Sequence, residues 1–138
     1  MFKEHGDFIV TLDENILLVS VSGAWNAETA KAYAEVVIET INPIKYRAWG
    51  VISDVREWEL CTPDCKVLIA KLSAKCKGKG MKREAIINSN TESVKLDLFR
   101  RHTIKQSSKA LPDAFERCFF ETEKEAREWL NDEGYGLA

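Results

Sequence analysis

Residues 49–65 read WGVISDVREWELCTPDC, and the fold turns on how this stretch is read. Trp49, Val51 and Ile52 follow one another with few polar interruptions. That is the pattern of a strand buried on both faces, as in a parallel sheet covered by helices. Asp54 is expected to end the strand. Thr62 can cap a following helix by accepting from the backbone N–H of Cys65. Pro63 suits the first helical position because its missing N–H would have no partner there, and Asp64 complements the positive helix end. The segment between them, Arg56, Glu57, Trp58, Glu59, Leu60 and Cys61, then reads as an irregular loop at the carboxyl end of a central strand. In open α/β sheets that is where ligands and partners meet, so this loop is the default functional surface.

Composition sets the frame around it. The chain has 138 residues, 45% hydrophobic and 30% charged, which suits one domain, 1–138, with a real core. A formal net charge of -2 argues against a dedicated nucleic-acid binder, which would be strongly basic. The start, MFKEHGDFIV, lacks a basic region followed by an apolar run, and no segment approaches the length that crosses a bilayer. A cytoplasmic protein without stable membrane insertion is expected. Cys61, Cys65, Cys76 and Cys118 form neither CxxC pairs nor a dense disulfide framework, which agrees with a reducing compartment.

Outward from the central stretch, Phe8 to Leu12 and Ile16 to Val21 are short apolar runs separated by Asp13, Glu14 and Asn15, which predicts a β-hairpin. Gly23 should end the second strand. Asn26 then caps a helix whose stripe is Ala30, Tyr33, Ala34, Val37, Ile38 and Ile41, and Pro43 ends it. The helix after Pro63 carries Cys65, Leu68, Ile69, Leu72 and Cys76 inward and stops at Gly78 and Gly80. A strand at Glu84 to Asn88 leads through Asn90 into a more ragged helix from Glu92 to about Lys105. Phe115 to Phe120 supply a last strand. Thr122 and Glu125 form a capping box for a final helix with Ala126, Trp129 and Leu130 inward, and the tail after Asn131 should fray. The order is ββαβαβαβα: an α/β fold with a mixed sheet, a hairpin first and parallel crossovers after it. Trp49, Val51, Ile52, Ile86, Ile87, Phe119, Leu68, Leu72, Val37 and Ile38 are expected to form one continuous core.

This order of elements, the hairpin running into GAWNAETA, the strand GVISDV, the helix entry at Trp58 and Thr62-Pro63, and the closing FFETEKEAREWL resemble the SpoIIAA-like proteins. These are relatives of the STAS domain of anti-sigma factor antagonists. In the antagonists the matching segment is Asp-Ser-Ser-Gly and carries a regulatory phosphoserine. Leu60, Cys61, Thr62 and Pro63 stand there in this chain, and Thr62, the one hydroxyl, is committed to capping. The resemblance implies a non-enzymatic domain that binds a protein partner or a ligand.

Chemical alternatives weigh less. Cys65 in the first turn of a helix and Cys61 just before its cap could make a thiol-dependent enzyme, since the helix dipole favours a thiolate. Cys65 also begins an apolar stripe, and free cysteine is among the most buried residue types, so packing outweighs reactivity. His5 and His102 stand at unrelated places, and neither a metal set nor a nucleophile–base pair assembles around them. Glu57 and Glu59 are ordinary solvated carboxylates. The basic cluster Lys75, Lys77, Lys79, Lys82 and Arg83 suits the end of a helix. Trp58 either folds back onto the sheet or stands exposed as an interface anchor, in which case a modest homodimer follows.

No catalytic residue, metal or cofactor is therefore assigned. The expected binding surface comprises Asp54, Arg56, Glu57, Trp58, Glu59, Cys61, Thr62, Asn88 and Asn90. Its expected occupant is a protein partner or a second copy of the chain, with a small apolar ligand held between sheet and helix as the alternative.

Overall fold

The computed structural model of the chain describes residues 6–88 and 114–136. The expected hairpin is present: β1 (Asp7–Asp13) pairs antiparallel with β2 (Ile16–Trp25) through a turn in which Glu14 has φ 53°. The chain continues through α1 (Ala27–Thr40), β3 (Trp49–Cys61), α2 (Pro63–Gly78), β4 (Met81–Ile87), β5 (Glu116–Phe120) and α3 (Glu123–Asp132). The five strands form one sheet in the order β1-β2-β3-β4-β5, with every pairing after the hairpin parallel. The ragged helix expected at 92–105, with Asn90, His5 and His102, lies outside the described residues.

Local chemistry sets the element ends. The Asn26 side chain accepts from the Thr29 N–H at 3.0 Å, Thr62 from Cys65 at 3.3 Å and Thr122 from Glu125 at 3.2 Å, so three caps legible in the sequence are made. If capping is the whole role of Thr62, Thr62→Ala lowers stability by about 1 kcal/mol, whereas Thr62→Asp keeps the cap and suits the helix dipole. Denaturation midpoints decide; an aspartate variant as weak as the alanine one would give the hydroxyl another role. Gly80 turns the chain from α2 into β4 at φ 107°, where a Cβ would stand 1.9 Å from the Arg47 carbonyl oxygen, so no other residue fits.

The core departs from expectation in one respect. It is two clusters on opposite faces of the sheet. Trp49, Val51 and Val55 of β3 point to the face covered by α1 and α2, with Val37, Leu72, Cys76 and Ile86. Ile52 points to the other, with Ile16, Ala85, Ile87, Ala126 and Leu130. Successive side chains of a strand face opposite ways, so a strand buried on both faces feeds two cores. The tail after Asn131 does not fray at once: Tyr135 is buried, its N–H donates to Leu130, and the Gly136 N–H donates to the Asn15 side chain at 2.8 Å.

Candidate functional site

Two strand ends come out differently from the sequence reading. β2 does not stop at Gly23. It passes through that glycine, at φ 76°, and reaches Trp25, with a register shift between Gly23 and Ala24. β3 does not end at Asp54. The pairing steps from Ser20 with Asp54 to Ser22 with Glu57, so β3 carries an extra residue, a bulge, and then follows β2 as far as Trp25 with Cys61. The Asp54 carboxylate holds the bulge, accepting from the Arg56 backbone N–H at 3.1 Å and from its guanidinium at 3.0 and 2.6 Å. That hydrogen-bonded pair raises the Arg56 pKa above its ordinary value. Neighbouring β4 pairs with β3 only up to Asp54 with Ile87. Residues 55–61 therefore extend past β4, and the segment read as a loop is a projecting strand.

Alternation along this strand sorts the expected binding residues. Glu57, Glu59 and Leu60 face solvent, whereas Trp58 is 4% exposed and packs edge-on against Trp25 at 5.5 Å. Trp25 in turn meets Tyr33 at 5.0 Å and Phe8 at 5.8 Å. Trp58 is thus a core residue, and the exposed indole on which the expected homodimer depended is not on this surface. Thr62 sits at the cap, its N–H donating to the Trp25 carbonyl, and Asn88 is buried at the end of β4 with its N–H on the Phe120 carbonyl. Asn90 lies outside the described residues, so its place beside the others is not given.

At the junction of β3 and α2 the sulfurs of Cys61 and Cys65 lie 2.7 Å apart. Cys65 is 0% exposed; Cys61 is half-buried. The sequence reading put packing ahead of thiolate character at Cys65, with the helix dipole as the ground for the alternative; the geometry favours the charge on Cys61 instead. The contact with Cys61, together with burial, pushes the Cys65 thiol up, and the same contact draws the Cys61 thiol down, with Lys66 helping. Leu60, 58% exposed, and Val67, 54% exposed, flank this junction. Val67 was not singled out in the sequence, and Leu60, named in the loop read as functional surface, was left out of the expected binding residues, although carrying the strand alternation on to Cys61 would have turned it outward.

Between the sheet and helices α1 and α2 lies a cavity of about 70 Å³, lined by Trp25, Val51, Val55, Trp58 and Leu72 with Tyr33 and Glu84 among its polar members. Burial, with Glu84 and Cys76 nearby, pushes the Tyr33 hydroxyl up, and burial lifts the Cys76 thiol to about 12. Both groups are neutral at ordinary pH. The basic cluster is broken up by the fold: Arg83 is buried with Glu133 at 2.8 Å, Lys77 lies over the Phe115 ring and Lys79 over Tyr46. Among the described residues no group of three or more His, Cys, Asp or Glu could hold a metal ion, and no helix is long and apolar enough to cross a membrane.

No family model matches the chain, and no curated protein does. Solved structures do. One is an uncharacterised protein of the DUF3478 family with a SpoIIAA-like fold from Shewanella loihica PV-4. It superposes with TM-score 0.68 at 20% identity, over 94% of this chain and 98% of that one. The fold is SpoIIAA-like. An anti-sigma factor antagonist from Mycobacterium paratuberculosis shares it with TM-score 0.58 at 16% identity, over 92% of this chain and 95% of that one. The SpoIIAA-like arrangement accounts for the mixed sheet and for the junction after β3, and at these identities it speaks for the fold alone.

Proposed function

We propose that this SpoIIAA-like domain is a non-enzymatic binding module whose protein partner docks on the junction of β3 and α2. The observation that carries the reading is that Leu60 and Val67, on the two elements that meet at this junction, are each more than half exposed. Leu60 lies near the end of β3 and Val67 early in α2, the two elements that meet where the two sulfurs touch. Arg56, Glu57, Glu59, Asp64 and Lys66 are exposed on the same two elements and carry charge of both signs. Exposed apolar side chains among charged ones are what a protein partner can bury. The regulatory name of the anti-sigma factor antagonist agrees with this reading.

The test is a double variant, Leu60→Asp with Val67→Asp, compared with the unaltered chain as bait in an extract of the source cells. Both side chains are exposed, so the fold should survive. A protein retained by the unaltered chain is expected to fall at least tenfold on the variant, as loss of about 1.4 kcal/mol or more requires. Undiminished retention would remove the junction from the interface. Concentration-dependent sedimentation abolished by the same variant would make a second copy the partner.

The cavity supports a second reading, a carrier of a small apolar ligand. It lies under α1 and α2; the helix expected at 92–105, which the sequence reading had chosen to cover such a ligand, is outside the described residues. Size sets its rank. About 70 Å³ is less than half the roughly 150 Å³ that admits benzene in an engineered apolar cavity. A cargo would therefore have to open the packing of Trp58 and Leu72. An apolar adduct in the native mass spectrum of the purified chain would reverse the order of the two readings.

A further inference from the structure

From the contact between the sulfurs of Cys61 and Cys65, we propose that these residues form an oxidisable dithiol that closes to an intramolecular disulfide when it meets a small-molecule disulfide such as oxidised glutathione. Two thiol sulfurs at 2.7 Å are well inside ordinary nonbonded contact and close to the roughly 2.05 Å of an S–S bond, so closing the bridge needs little movement of either backbone. The backbone on both sides is tied down. Cys61 ends β3 in register with Trp25, the next N–H, that of Thr62, donates to the Trp25 carbonyl, and the Cys65 N–H donates to the Thr62 hydroxyl. This holds the pair together in the reduced chain, and no refolding is needed to bring the sulfurs into reach.

The two thiols differ in a way that assigns their roles. Cys61 is half-buried and can be reached from solvent, whereas Cys65 is 0% exposed behind it. The thiolate is the nucleophile in exchange. The contact with the Cys65 sulfur, with the nearby Lys66 ammonium, favours the charge on Cys61. Cys76 and Cys118 are buried elsewhere in the fold, and burial keeps the Cys76 thiol protonated.

The reaction runs in two exchanges. The Cys61 thiolate attacks one sulfur of the small disulfide RSSR; a mixed disulfide forms on Cys61, the original S–S bond breaks and RS⁻ leaves with a proton from solvent as RSH. Cys65 then loses its proton, and its sulfur attacks that of Cys61, expelling the second RS⁻, which takes up a proton. Two protein thiols are oxidised by two electrons, and RSSR is reduced to two RSH. The bridge then spans the junction between Leu60 and Val67. Its chemistry is independent of whether a partner docks there.

The experiment uses the full chain, purified reduced, and oxidised glutathione as the probe, followed by alkylation and peptide mass analysis. The unaltered chain should lose the two thiol hydrogens, with Cys61 and Cys65 protected together and Cys76 and Cys118 still free. In the reduced chain Cys61 should be alkylated at least tenfold faster than Cys76 or Cys118. The Cys65→Ala variant should instead stop at a lasting glutathione adduct on Cys61, and Cys61→Ser should take up no adduct on Cys65. A glutathione adduct that persists on the unaltered chain, or four thiols still free after exposure, would overturn the proposal. Because the unaltered chain alone decides these outcomes, poor folding of a variant cannot rescue it. The bait experiment reads partner loss and not thiol state, so each proposal can fail without the other.

Discussion

Replacing Trp58 by alanine is expected to lower stability by roughly 3 to 5 kcal/mol, the range for removing a large buried aromatic side chain. The indole is 4% exposed, lies edge-on to Trp25 at 5.5 Å and forms part of the wall of the 70 Å³ cavity. Truncation would join the vacated volume to that existing void, and a site that cannot collapse loses more, so the upper part of the range applies. Trp58→Phe keeps an aromatic ring against Trp25 and should cost markedly less. Urea denaturation with an unchanged slope is the measurement. A midpoint that hardly moves would put Trp58 outside the core and restore the exposed indole, and the dimer, that the sequence left open.

Truncating Ile52 to alanine is expected to cost roughly 2 to 5 kcal/mol. Ile52 is 2% exposed and packs with Ala85, Ile87, Ala126 and Leu130 on the face opposite Trp58. That placement adds a sharper test. Residues with no shared partners contribute additively, so the Ile52→Ala, Trp58→Ala pair should sum to within about 0.5 kcal/mol if the two clusters are separate. Because the double loss approaches the whole stability of an ordinary domain, the comparison is made on the milder Ile52→Val and Trp58→Phe pair. Coupling well above 0.5 kcal/mol would mean that the sheet does not divide the core as described.

Much of the fold was legible because its signals are local. Asn26, Thr62 and Thr122 each reach a backbone N–H three residues ahead, and the hairpin turns on the two polar residues Glu14 and Asn15. Apolar spacing separated α1, α2 and α3 from the strands, and a run of Val and Ile marked β3 as covered on both sides. These depend on neighbours in sequence, which the chain itself supplies.

What the sequence by itself determined about this protein is therefore the order of elements, the caps and the SpoIIAA-like class. Only the tertiary structure decided where β3 ends, which way Trp58 points and which of Cys61 and Cys65 is open to solvent. β3 continues past Asp54 because β2 lies alongside to pair with it as far as Trp25, a partner 36 residues earlier in the chain. Trp58 turns inward because a bulge at Asp54 resets the alternation and Trp25 waits on that face. Cys65, favoured by the dipole of its own helix, is pushed up by its contact with Cys61 and by burial, and both are properties of what packs around a residue, not of what precedes it.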